Sequence, residues 1–184
     1  MLREMSKNLV YFDLETQKSA QEVGGWDRIA DMRLSIGVTY STARGTYEIY
    51  DERTVDQLIQ ELQRADLVIG YNIFRFDYIL LQAYSIFDFS QVPSLDLMVD
   101  VEKSCGQRLP LDAIAEATLG VNKTAEGMAA LKWWKEGRIR EIAEYCCYDV
   151  KATKWVHEFG VREGRVRYKD RKTQLIRDVS VAWT

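Results

Sequence analysis

The chain has 184 residues, enough for one domain with a sizeable core. It is 47% hydrophobic and 29% charged with a net charge of −3, which suits a soluble globular protein and excludes a purely electrostatic nucleic-acid binder. No apolar run approaches the roughly 18 residues of a membrane span, and the start, MLREMSKN, lacks the apolar core of a secretory signal. Cys105, Cys146 and Cys147 form no CxxC pair, so a reducing, cytoplasmic setting is the expectation.

LVYFDL reads as a strand that begins at residue 9. A long polar segment, TQKSAQEVGGWDRIADM, follows over 16–32, and loops of this length are often functional. RLSIGVTY and GTYEIYD form a hairpin around STARG. TVDQLIQELQRA has helical spacing, with Thr54 as its N-cap. DLVIGYN is a short buried strand, and IFRFDYILLQAYS continues as a helix. LPLDAIAEATLG is another helix, ended by Gly120. A long helix covers about Arg138 to Phe159. The tail GRVRYKDRKTQLIRDVSVAW alternates as a hairpin does, with a turn near Asp170–Thr173. This order predicts an α/β domain over 1–160 whose mixed sheet is a three-stranded antiparallel meander plus parallel strands, flanked by helices. Residues 161–184 are a basic extension packed on the same domain; from Gly160 on, seven Lys/Arg face three Asp/Glu.

Four carboxylates stand in apolar contexts. Asp13 and Glu15 are two apart on a strand, so they share one face and repel. Either they flank solvent at a strand end, or they share a cation. Asp77 sits among Phe76, Tyr78, Ile79, Leu80 and Leu81. In the last helix, Ile139, Ile142, Ala143, Cys146, Val150 and Thr153 form an apolar stripe. Tyr145 and Asp149 lie one turn apart on its border. Taken singly, a salt bridge, a Tyr–Asp hydrogen bond or a helix dipole would explain each. Taken together, oxygen ligands without nitrogens or thiols favour Mg²⁺ or Mn²⁺, and a pair of such ions clamps a phosphoryl displacement.

FDLET, YNIFRFD and YCCYD resemble, in order, the three motifs of the DnaQ-like DEDD exonuclease superfamily, on a ribonuclease-H-like fold. Tyr145 in place of a histidine marks the DEDDy subgroup, which includes proofreading domains of family-A and family-B DNA polymerases. YNIFRFD looks like the family-B version, and the segment from Leu109 to Val150 resembles stand-alone or helicase-associated members. The resemblance covers roughly residues 8–160. It implies a 3′–5′ exonuclease that hydrolyses terminal phosphodiesters of single-stranded DNA or RNA to nucleoside monophosphates. Asp13, Glu15, Asp77 and Asp149 would bind two divalent cations, and Tyr145 would orient the attacking water. Backbone groups around Leu14 and Thr16 would hold the 3′-hydroxyl, and Asn72 would contact the nucleotide or brace the turn. A helicase or polymerase is the implied protein partner. A structure-selective endonuclease or ribonuclease on the same fold is an alternative; so is a non-catalytic nucleic-acid-binding module of a repair complex.

Other residues carry weaker signals. Trp26 either stacks on a terminal base or covers the sheet edge. Asp96 and Asp100 compete with Asp77 as ligands but lack the asparagine turn before them. His157, the one histidine, falls inside the apolar stripe and reads as packed or capping. Trp133 and Trp134 read as core, and Lys123 as a loop lysine or a phosphate contact. Arg162, Arg165, Arg167, Lys169, Arg171 and Lys172 form either a phosphate track or an ordinary solvated face.

Overall fold

A computed structural model describes residues 7–121 and 128–184. Strand β1 (Leu9–Thr16) is central in a five-stranded sheet of order β3-β2-β1-β4-β5. β2 (Leu34–Ser41) and β3 (Thr46–Tyr50) complete an antiparallel meander with β1. β4 (Leu67–Gly70) and β5 (Ser94–Asp96) extend it in parallel on the other side. The mixed sheet is therefore as expected.

The helices lie on both faces of the sheet, and β1 shows why. Val10, Phe12 and Leu14 pack with Leu58 and Leu62 of α2 (Val55–Arg64). Tyr11, on the opposite face, packs with Ile142, Cys146 and Val150 of the long α7 (Ile139–Glu163). A strand covered on both faces is apolar almost throughout. Asp13 and Glu15 break that rule on the α7 face.

Several expectations need correction. The segment after β1 is not an open loop: it holds a short helix α1 (Ala20–Val23) and a 3₁₀ helix (Trp26–Met32). Ser19 and Glu22 form a capping box at the start of α1. Thr54 occupies its N-cap position, but its hydroxyl accepts from the Asp51 amide rather than from the helix. The helix expected from Ile73 shrinks to α3 (Asp77–Leu81), because residues 73–76 form a turn. β5 and the helix after it, α4 (Leu97–Cys105), were not anticipated. Two short elements share SLDLMVD, so neither completes a legible period. α5 (Leu111–Leu119) ends at Gly120 as expected, and α6 (Met128–Lys135) follows. α7 runs four residues beyond Phe159, and Ile139, read as part of its apolar stripe, is exposed.

The tail forms the hairpin β6 (Arg165–Lys169) and β7 (Ile176–Ser180), packed on α5 and α7. Trp183 closes it down. A Cβ at Gly160 would lie 2.3 Å from the Trp183 ring, so only glycine lets the indole rest on α7. The indole also stacks on His157 and donates to Asp100 at 3.2 Å. Among the described residues no helix is long and apolar enough to cross a membrane.

Candidate active site

Three carboxylates converge where β1 passes under α7. Ligand oxygens of Asp13, Glu15 and Asp149 all lie within 4.8 Å of one another. Strand alternation puts Asp13 and Glu15 on the α7 face, and the border of the α7 stripe brings Asp149 to them. Cys146, one turn before Val150, donates its thiol to the Asp13 carbonyl at 3.2 Å and to its carboxylate at 3.4 Å. Nothing in the sequence pointed to this residue beyond its apolar position.

Asp77 lies outside that group of three, close enough to act on the charge of Asp13, and is placed by a different route. β1 pairs with β4 only through Tyr11, so the β4-side edge of β1 is open beyond that point. The turn after β4 fills the gap. Gly70 permits its tight entry, since a Cβ there would lie 2.2 Å from Ile73. Asn72 follows at φ 69°, a left-handed conformation that asparagine tolerates. Asp77 then opens α3, 3% exposed, and accepts from its own amide and that of Leu14. Its Oδ1 is buried and has no hydrogen-bond partner among the described residues.

Asp96 holds this turn in place. Its carboxylate accepts from the amides of Asn72 (2.8 Å), Phe74 (3.1 Å), Met98 (3.1 Å) and Val99 (3.3 Å). It is fully engaged as a brace and as the N-cap of α4. Asp100 pairs with Lys103 and accepts from Trp183. Neither aspartate joins the cluster.

The electrostatics reflect crowding of like charge. Burial, then Asp149, Glu15 and Asp77, push the Asp13 carboxyl well above the ordinary range. Burial lifts Asp77 to about 8, with Asp96 adding to it and the two amides opposing. Tyr145 is 6% exposed, and its phenol is pushed far up by burial and then by Asp149, Glu15 and Asp13. It therefore keeps its proton. Trp133 meets the Tyr145 ring edge-on at 6.1 Å. Both Trp133 and Trp134 are half-buried and pack against the core beneath α7.

The donor set fits a hard divalent cation: it consists of carboxylate oxygens, crowded at a cost that a cation relieves, with an orphaned buried oxygen on Asp77. Around it, Trp26 is 71% exposed and meets Phe76 edge-on at 6.5 Å, so it does not cover the sheet edge. Thr16 donates its hydroxyl to the Lys18 carbonyl. Asn72 accepts from Arg108 at 3.2 Å through its side chain, and so braces the turn. Lys123 lies outside the described residues.

Residues 10–159 match the family model of the RNase H superfamily. The chain belongs to the RNase H superfamily. A search of curated proteins finds no match. Among solved structures, the chain is similar to the family B DNA polymerase from the hyperthermophilic archaeon Pyrobaculum calidifontis, with a TM-score of 0.63 and 16% identity. That alignment covers 84% of this chain and only 24% of the polymerase, so the likeness is one of fold. RNase H superfamily membership and the carboxylate cluster together support a nuclease.

Proposed function

We propose that the protein is a metal-dependent 3′–5′ exonuclease of the DEDDy type, acting on single-stranded nucleic acid. One observation carries this reading: Asp13, Glu15 and Asp149 converge within 4.8 Å beside a protonated Tyr145, with Asp77 acting on the same charge cluster. The resemblance of YNIFRFD to proofreading domains of family-B polymerases, and the fold shared with one such polymerase, agree with it.

The four carboxylates would hold Mg²⁺ or Mn²⁺, which supplies charge neutralisation at the phosphate and acidification of water. Tyr145, with its raised pKa, serves as a hydrogen-bonding group that orients the nucleophile, not as a base. Trp26 offers an exposed face for the terminal base. The Leu14 amide is taken by Asp77, so contact with the 3′-hydroxyl falls to the other backbone groups of Leu14 and Thr16. Asn72 acts through the turn that presents Asp77.

The test is a 5′-labelled single-stranded oligonucleotide, as DNA and as RNA, with Mg²⁺ or Mn²⁺, resolved on a gel. A ladder shortening from the 3′ end, absent in Asp149→Ala, is the expected result. Internal cuts, or cutting of a circular substrate, would replace this reading with an endonuclease.

A further inference from the structure

Ion pairing splits six of the seven basic residues of the tail, all but Arg177, into two groups. Arg165 and Arg167 both pair with Asp178, at 2.8 and 3.1 Å, and Arg162 pairs with Glu163 at 2.8 Å. Lys169, Arg171 and Lys172 have no ion pair among the described residues. These three line a cavity of about 370 Å³ between the β6–β7 turn and the loop before α5, and Arg108 stands on its other wall. Asp170 is the one acid in the lining among the described residues, and its carboxylate is spent on the amides of Lys172 and Thr173, each at 2.8 Å. Leu109, Pro110 and Tyr168 supply apolar surface between the cations.

The cavity is tied to the nuclease centre by hydrogen bonds. Arg108 donates to the Asn72 side chain at 3.2 Å, and Tyr71 donates to the Leu109 carbonyl at 2.7 Å. Tyr71 and Asn72 begin the turn that presents Asp77. The turn that presents Asp77 therefore also braces one wall of the cavity.

We propose that this cavity is a second nucleic-acid subsite, which holds the phosphodiester backbone of the single strand on the 5′ side of its 3′ end. It rests on the reading of the carboxylate cluster as a nuclease centre. Four cations spread around a rim match repeating phosphates, and an aromatic ring beside proline suits an unstacked base. A strand held here runs on toward the turn at Asn72, which gives the adjacency of the two sites a purpose that a free nucleotide would not need.

The test measures anisotropy of a short fluorescent single-stranded oligonucleotide in EDTA, where cleavage is silent. Arg171→Ala/Lys172→Ala changes two exposed turn residues, so the fold should survive, and a melting curve checks this. The expected result is binding weaker by at least about tenfold and a salt dependence shallower by about 1.4 in log–log slope. Arg165→Ala/Arg167→Ala removes the same formal charge from the same hairpin outside the cavity, and should weaken binding less than about twofold. Equal weakening by both pairs, or none by the cavity pair, overturns the proposal. Displacement of the strand by AMP at equal phosphate concentration overturns the strand reading in favour of a nucleotide pocket. Wild-type protein that binds through the cavity yet cuts nothing with Mn²⁺ keeps the subsite and removes the exonuclease.

Discussion

Asp13 sits under opposing demands. Like charges from Glu15 and Asp149 crowd it, while the Cys146 thiol donates to it. Without a cation, the repulsion is the larger effect. Asp13→Ala should therefore abolish cleavage while leaving the melting temperature in EDTA unchanged or raised by a few degrees. Cys146 retains the Asp13 backbone carbonyl as its acceptor in that variant. A variant that cuts at the wild-type rate would remove Asp13 from the metal site. Tyr145 makes the complementary case. Tyr145→Phe keeps the ring against Trp133 and loses only the hydroxyl, so turnover should fall by roughly tenfold to a thousandfold with Mn²⁺ affinity nearly unchanged. An unchanged rate would mean that Tyr145 merely packs.

At the scale of elements, the turn between β4 and α3 depends on Asp96. Asp96→Ala leaves four amides of two elements without their acceptor, a loss of about 2–4 kcal/mol. Asp96→Asn keeps an oxygen at the position that three of those amides use, and should recover most of the stability. If the two variants melt alike, the brace is not what holds the turn. This element also shows where the sequence was legible and where it was not. Asp77 stood out because a carboxylate among Phe, Tyr, Ile and Leu is costly unless it is capped or liganded. Asp96 was legible only as a rival ligand, because two of its four bonds reach back to a turn more than twenty residues away. The three-residue β5 is too short for alternation to show, and the apolar residues of α4 merge with it. The motifs FDLET and YCCYD were readable because each places its carboxylates by one local period, of strand or of helix. Cys146 and Trp133 were not, since their importance lies in which element they meet.

For the whole molecule, two of the contributions to pH stability run in opposite directions. His157 is buried, accepts or donates at Tyr11 over 2.9 Å, and has its pKa lowered to about 4 by burial. The unfolded chain takes up that proton near pH 6.5 and the folded chain does not, so stability is full above 6.5 and falls as pH drops toward 4, by at most about 3 kcal/mol. Asp77 runs the other way. Its folded pKa of about 8 lies above the unfolded value, so without a cation its contribution is full below pH 4 and is lost as pH rises through 8. The difference in stability between wild type and His157→Gln in EDTA isolates the first contribution, and should shrink steadily from pH 6.5 to 4. A difference that stays flat would mean that His157 titrates normally in the fold.

On the proposed reading, four buried or half-buried carboxylates are tolerated because a divalent cation neutralises them. A Mn²⁺ titration followed by melting temperature tests it most directly, with Asp149→Ala alongside. Wild type should gain stability steadily with the logarithm of Mn²⁺ concentration above its dissociation constant, by about 2.7 kcal/mol at a hundredfold excess, and the variant should gain far less. A wild-type melting temperature that ignores Mn²⁺ would contradict the account and leave an acidic cleft on a ribonuclease-H-like fold.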